Sequence, residues 1–186
     1  MLPRTRAALA TAAAILVAGV SVSAVSAAAP NRAHVPNAVR ALPALDQQVI
    51  ARINVARAQH GLGKLKLSLK LRAAARFPSY EMAQHGYFSH DSANGSSPWT
   101  RLAHYYPSAG FTQWQVGETL FWSEPNVDAF GVVHDWLTSP EHRAILLTGS
   151  FREIGVSAVH ATAASGADFH GDEVTLVTAD FGVRVR

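Results

Sequence analysis

IGVSAV at residues 154–159 and VTLVTADFGV at residues 174–183 close the chain, and their reading decides the fold. Both runs are short, rich in valine and threonine, and separated by Ala161 to Gly171, which has the composition of a turn or loop. They read as two strands. Upstream, the apolar period is helical: Leu45, Val49, Ile53 and Ala56 recur at one-turn spacing, and Gly61 and Gly63 end the pattern. Helices first and strands late, with no regular strand-helix-strand alternation, predict an α+β domain with an antiparallel sheet.

Between these ends the signals are mostly punctuation. Ser68 is suited to cap a second helix whose apolar stripe is Leu71, Ala74, Ala75 and Met82, with Pro78 inside it. A proline there removes a hydrogen bond and crowds the preceding turn, at about 3 kcal/mol, so a kink or break is expected near Phe77 unless packing compensates. Tyr87 to Ser97 reads as an exposed loop, and Ser97-Pro98 opens a short helix through Leu102. Trp114 to Trp122 is strand-like. Asn126 is expected to cap a helix carrying Val133 and Trp136, and Ser139-Pro140 to start another through Ile145 and Leu146.

The chain has 186 residues, 16 Lys and Arg against 13 Asp and Glu, and no cysteine. The last fact excludes disulfides, thiolate metal sites and cysteine nucleophiles. Arg4 and Arg6 precede an uncharged stretch, Ala7 to Ala29, which reads as a secretory signal peptide over residues 1–29, cleaved after Ala27 or Ala29. The alternative is an uncleaved signal anchor, since that stretch is long enough to span a bilayer. Cleavage lowers the formal charge from +3 to +1 and leaves no span. Residues 30–44, with three prolines, read as a flexible linker, and 45–186 as the domain. Nine basic residues and one acid lie between Pro30 and Arg76, against five basic and twelve acidic ones from Phe77 onward. With no basic groove beside the aromatic residues, nucleic acid is not an expected partner.

Nine histidines invite a search for metal spacing, yet no helix carries the paired-histidine pattern of metalloproteases, and the nucleophile elbow and phosphate-binding glycine loop are absent. His34, His60, His160 and His170 stand alone and read as solvent-facing or locally hydrogen-bonded. Three polar residues interrupt other contexts: His90 follows Tyr87 and Phe88, Glu118 lies in an apolar strand-like run, and His142 begins a short helix. If they converge, they form a cleft able to take one divalent metal, zinc, magnesium or calcium, with a position open to water. The same three residues equally suit a hydrogen-bonded cluster that ties three loops together. Arg143 is expected to pair with Glu141, Glu153 or Asp180.

Taken in order, these residues resemble the CAP superfamily of cysteine-rich secretory proteins, antigen five and pathogenesis-related one, in its bacterial, cysteine-free secreted branch. The marks run from Leu45 to the C-terminus: Asn54 and Arg57 before Gly61 and Leu62; Met82 with Tyr87, Phe88, Ser89 and His90; Arg101 and Leu102; Gly117 and Glu118; Trp136, Ser139, His142 and Arg143; Phe151, Ile154 and Gly155; and Thr178, Asp180, Phe181 and Gly182. The resemblance implies an α-β-α sandwich, with a central antiparallel sheet between helical layers and a cleft lined by acidic and histidine side chains. His90 and Glu118 match the family's first His and first Glu, and His142 the His of the bacterial pattern. The eukaryotic second Glu and second His are replaced by Ser139 and, near the late strand, Leu176; the usual Gln is Ala179.

The expected function is that of a secreted, monomeric protein acting mainly by binding an envelope or extracellular ligand, lipid or protein, through the His90, Glu118 and His142 cleft, rather than as a dedicated enzyme. One alternative is a hydrolase of peptides or esters with Glu118 as general base on a metal-bound or His-positioned water, Ser89 being a weaker candidate nucleophile. The other is lipid or sterol binding. The sequon at Asn94 is a chance match in a chain of bacterial character.

Overall fold

A computed structural model describes residues 37–186; the expected signal peptide and residues 30–36 of the expected linker lie outside the described residues. The chain runs β1 (Val39–Ala41), α1 (Pro43–Gln59), β2 (Lys66–Leu67), α2 (Leu69–His85), α3 (Pro98–Tyr105), β3 (Gln113–Ser123), α4 (Ala129–Thr138), α5 (Pro140–Leu146), β4 (Glu153–Ala164) and β5 (Asp172–Val185). The late strands form the spine. β4 and β5 pair antiparallel, β5 pairs antiparallel with β3, and β1 pairs antiparallel with the outer edge of β4, giving the order β1-β4-β5-β3. Further along the same edge, β2 adds two residues in parallel with β4.

Alternation in β4 and β5 sends side chains to two different cores. Ile154, Val156, Ala158, Val177, Ala179 and Phe181 pack with Leu45, Val49 and Ile53 of α1 and Val132, Val133 and Trp136 of α4. Val159, Ala161, Val174 and Leu176 pack with Met82 and Ala83 of α2, while Leu71, Ala74, Leu102 and Tyr106 join α2 to α3. Both faces of β4 and β5 are thus covered, which explains why these strands read as continuous apolar runs rather than alternating ones. The arrangement is the expected α-β-α sandwich, with α1, α4 and α5 on one face and α2 and α3 on the other.

Two local expectations are corrected, and a third resolves through packing. Residues 37–44 are not a flexible arm: Val39–Ala41 is a strand and α1 begins at Pro43. The edge of β4 offers unpaired backbone groups, and Asn37 pins the entry by donating from Nδ2 to the Ala83 carbonyl at 2.8 Å. Helix α2 continues through Pro78 without a break. Leu71, Ala74, Ala75, Pro78, Ser79, Met82 and Ala83 form one buried stripe, so packing on the sheet carries the helix across the missing hydrogen bond. The cap of α4 is Asp128 rather than Asn126; its Oδ1 accepts from the Gly131 N–H at 2.8 Å.

Candidate functional site

Glu118 sits in β3 directly opposite Asp180 of β5, so both carboxyl groups point to the sheet face covered by α2 and α3. Neither is solvated: the Glu118 side chain is 1% exposed, and Asp180 is fully buried. A buried carboxylate needs a counter-charge. Arg101 on α3 supplies it, donating from Nη2 to Glu118 Oε2 at 2.6 Å and from Nη1 to Ser92 Oγ at 3.1 Å. Its helix is fixed by the expected Ser97 cap, whose Oγ accepts from the Thr100 N–H.

The other oxygen of Glu118 is taken by His90. Its Nδ1 lies 2.8 Å from Oε1, while the imidazole side chain is 49% exposed. A carboxylate only accepts, so the hydrogen that the two groups share sits on Nδ1. The site is therefore a chain running from solvent to core: His90, Glu118, Arg101. Asp180 lies behind it. Neither of its oxygens has a hydrogen-bond donor, and burial first, then the adjacent Glu118 carboxylate, hold its acid well above the usual carboxylate range against the opposing pull of Arg101.

The loop that carries His90 is braced from the far side. Gly86 ends α2 in the left-handed region at φ 66°, and a Cβ added there would lie 1.9 Å from the Ser165 carbonyl oxygen. Only glycine allows this close approach. Asp168, in the β4–β5 connection, accepts from the Phe88 N–H at 2.7 Å and donates its own N–H to the Gly86 carbonyl at 3.2 Å.

Of the three residues expected to converge, the structure brings together His90 and Glu118. His142 lies on α5, in the opposite layer, where Ile145 of the same helix faces Gly117; its Nδ1 is buried with no hydrogen-bond partner. Among the described residues no group of three or more His, Cys, Asp or Glu side chains is placed to hold a metal ion. The donor set does not fit a divalent cation, because each Glu118 oxygen is already engaged and one of its partners is a guanidinium. Glu118 is equally ill placed as a general base, being shielded from solvent by its own partners. Ser89 Oγ accepts from the Asp91 N–H at 3.1 Å within its own loop.

The isolated histidines fall out differently. Arg143 pairs with none of the expected acids but approaches His60, with Nη2 3.0 Å from Nε2, and His60 Nδ1 donates to the Ala56 carbonyl. His160 is buried, with Nε2 2.9 Å from Glu173 and Nδ1 3.4 Å from Thr175 Oγ1, the locally hydrogen-bonded of its two expected settings. Arg101 and Asp180 are the site residues that sequence reading missed. Asp180 carried a usable signal, since a carboxylate inside the run VTLVTADFGV raises the same question of burial as Glu118.

The chain matches the Cysteine-rich secretory protein family, CAP, over residues 50–179. It is 28% identical over 137 residues to the uncharacterized protein YkwD of Bacillus subtilis, covering 72% of this chain and 51% of that protein. It is 32% identical over 112 residues to the uncharacterized membrane protein YlbC of the same organism, covering 60% and 30% respectively. The chain thus spans about half or less of the length of these curated relatives. Among solved structures it is similar to an extracellular SCP-domain protein of Bacillus anthracis (26% identity, TM-score 0.56, 75% of this chain and 40% of that one). It also shares its fold with an outer surface protein of Borrelia burgdorferi (20% identity, TM-score 0.59, 78% and 98%). Among the described residues no helix is long and apolar enough to cross a membrane.

Proposed function

The chain belongs to the cysteine-rich secretory protein (CAP) family, and from that premise we propose that it is an exported domain that acts by binding a ligand at or outside the cell envelope, with His90 as the residue that meets the ligand. The observation that carries this reading is the graded exposure of one hydrogen-bonded chain: a half-exposed imidazole, a buried carboxylate and a buried guanidinium. Glu118 and Arg101 fix the tautomer and orientation of a single outward-facing ring, which is how a fold presents one specific hydrogen-bonding group without losing order on contact. Export is supported by the charge and composition of residues 1–29 and by the description of the Bacillus anthracis relative as extracellular.

Co-sedimentation with isolated bacterial envelopes tests the reading. Wild type is expected in the pellet, with His90→Ala and Glu118→Gln left in the supernatant although both unfold cooperatively. Equal pelleting of all three would remove the site from binding. Turnover of a peptide and ester library by wild type and not by His90→Ala would replace binding with hydrolysis, with His90 rather than Glu118 as the general base. Calorimetry with zinc, magnesium and calcium completes the test, since heat abolished by His90→Ala would restore the metal reading.

A further inference from the structure

The stretch KLKLSLKLR, residues 64–72, alternates cations with leucines, and the core uses only part of it. Leu65 and Leu71 are buried, whereas Leu67 is 52% exposed and Leu69 71%. Lys64, Lys66, Lys70 and Arg72 are exposed beside them. The exposed leucines are not slack chain. β2 holds the stretch to the edge of β4, the Lys66 N–H donating to the Arg152 carbonyl at 2.9 Å and the Ser68 N–H to the Ile154 carbonyl at 2.8 Å. Ser68 is extended (φ −112°, ψ 118°) before α2 begins, which puts Leu67 and Leu69 on the same side of the backbone.

The charge of this corner is one-sided. No Asp or Glu lies between Asp46 and Glu81, and among the described residues none of the four cations forms an ion pair. Two acids approach from other elements, and both are engaged. Asp46 of α1 feels the charge of Arg72 but accepts from the Ala158 N–H at 2.6 Å. Glu153 of β4, beside Lys66 in the ladder, accepts from the Tyr106 hydroxyl. The corner therefore presents a positive field around two protruding aliphatic side chains. Each half selects against a different partner. A nucleic acid or other soluble polyanion answers the lysines but leaves the leucines in water, and the stretch has no aromatic ring on which a base could stack. A stable protein interface buries about 800 Å² per partner, far more than two leucines supply. A bilayer rich in anionic headgroups answers both halves: phosphates meet the cations, and the leucines enter the acyl boundary beneath them.

We propose that the corner formed by β2 and the first turn of α2, with Lys64, Lys66, Lys70 and Arg72 around Leu67 and Leu69, is a docking surface for an anionic lipid bilayer. It is separate from the His90 site, since none of these residues is a hydrogen-bond partner of His90, Glu118 or Arg101. A few cations and two leucines give a weak, reversible hold. The corner thus concentrates an exported domain at a membrane face and leaves retention to His90.

The chain has no cysteine, so Leu69→Cys takes a single environment-sensitive fluorophore. Mixed at low ionic strength with vesicles of phosphatidylglycerol and phosphatidylcholine in equal parts, the labelled full chain is expected to show a blue shift that saturates with lipid. The shift should be absent with phosphatidylcholine alone and reversed by salt. It should also be absent for a label at Glu124→Cys, just beyond the end of β3 remote from β2. In the chain labelled at position 69, Lys66→Gln, Lys70→Gln and Leu67→Ser should each raise the lipid concentration for half-maximal shift about fivefold, with unchanged unfolding midpoints. His90→Ala should leave it unaltered, so failure here and failure of the His90 reading are told apart. No shift, an equal shift with pure phosphatidylcholine, or lysine variants that bind like the parent would each overturn the proposal. Loss with the lysine variants but not with Leu67→Ser, or a response to heparin that vesicles do not reproduce, would do the same and would name a soluble polyanion as the occupant.

Discussion

Among the described residues two arginines are buried, and they have opposite kinds of partner. Arg57 on α1 is fully buried and donates only to backbone carbonyls: Gly63 from Nε at 3.0 Å, Leu146 and Thr148 from Nη1 at 2.7 and 3.0 Å, and Phe151 from Nη2 at 3.5 Å. Arg101 faces Glu118 and, beyond it, Asp180, and its Nε is buried without an acceptor. The first is satisfied by dipoles that never titrate and ties the turn after α1 to the segment between α5 and β4. The second balances groups that can gain or lose a proton, and it leads to a half-exposed imidazole. A buried cation is thus a staple in one place and part of a site in the other; the partner, not the arginine, makes the difference.

The strongest attempt to break this contrast is Arg57→Ala. It leaves several carbonyls without donors and opens a large cavity, so a loss of about 4 kcal/mol is expected in chemical denaturation. Because no partner titrates, the deficit should stay the same between neutral and mildly acidic pH. A deficit that recovers with acid would show that both arginines do the same work. Arg101→Met keeps the bulk but strands two acids, with an expected cost of about 3 kcal/mol at neutral pH. Here the deficit should shrink on acidification, as the Asp180 acid, held above its usual range by burial and by Glu118, takes up its proton.

The smallest and most diagnostic effects come from the acids themselves. The Asp180 acid is held above its ordinary value of 3.8 in the folded state, so its contribution is fully present below that value and is lost as pH rises through the folded one. Asp180→Asn should flatten that decline, giving unfolding midpoints that depend less on pH above about 4. Burial likewise raises Asp46 to about 6, against its hydrogen bond from the Ala158 N–H and the charge of Arg72. Asp46→Asn is expected to remove a weaker decline confined to the interval from 3.8 to about 6. An unchanged slope in Asp180→Asn would mean that the acid opposite Glu118 is ionised throughout, and that burial does not hold it above its ordinary value.

The fold was legible wherever one element carried its own period. The β4 and β5 strands, the buried stripe of α2 and the Ser97 cap all follow from local spacing, because local spacing decides which face is buried. β1 was not legible, since three residues set among prolines have no period and become a strand only because the edge of β4 is there to receive them. Pro78 shows a related limit: the local rule is sound, and the packing that carries the helix past it is a tertiary contact. At the site, His90 and Glu118 were visible as polar residues in unusual contexts. Arg101 was not, because a single arginine on a short helix has the same local signature whether it meets water or a carboxylate. His142 shared the signature of His90, and its place on α5 puts it in the other layer.

The near contact of Gly86 with Ser165 and Gly166 bears on how the imidazole is kept ready. Together with the two hydrogen bonds of Asp168, it fastens the surface loop to the tip of the β4–β5 hairpin. Displacing His90 then requires opening that tip, so the loop takes its protection against local unfolding from β4 and β5 rather than from its own few contacts. An incoming molecule meets a ring whose conformational entropy was lost during folding, not during recognition.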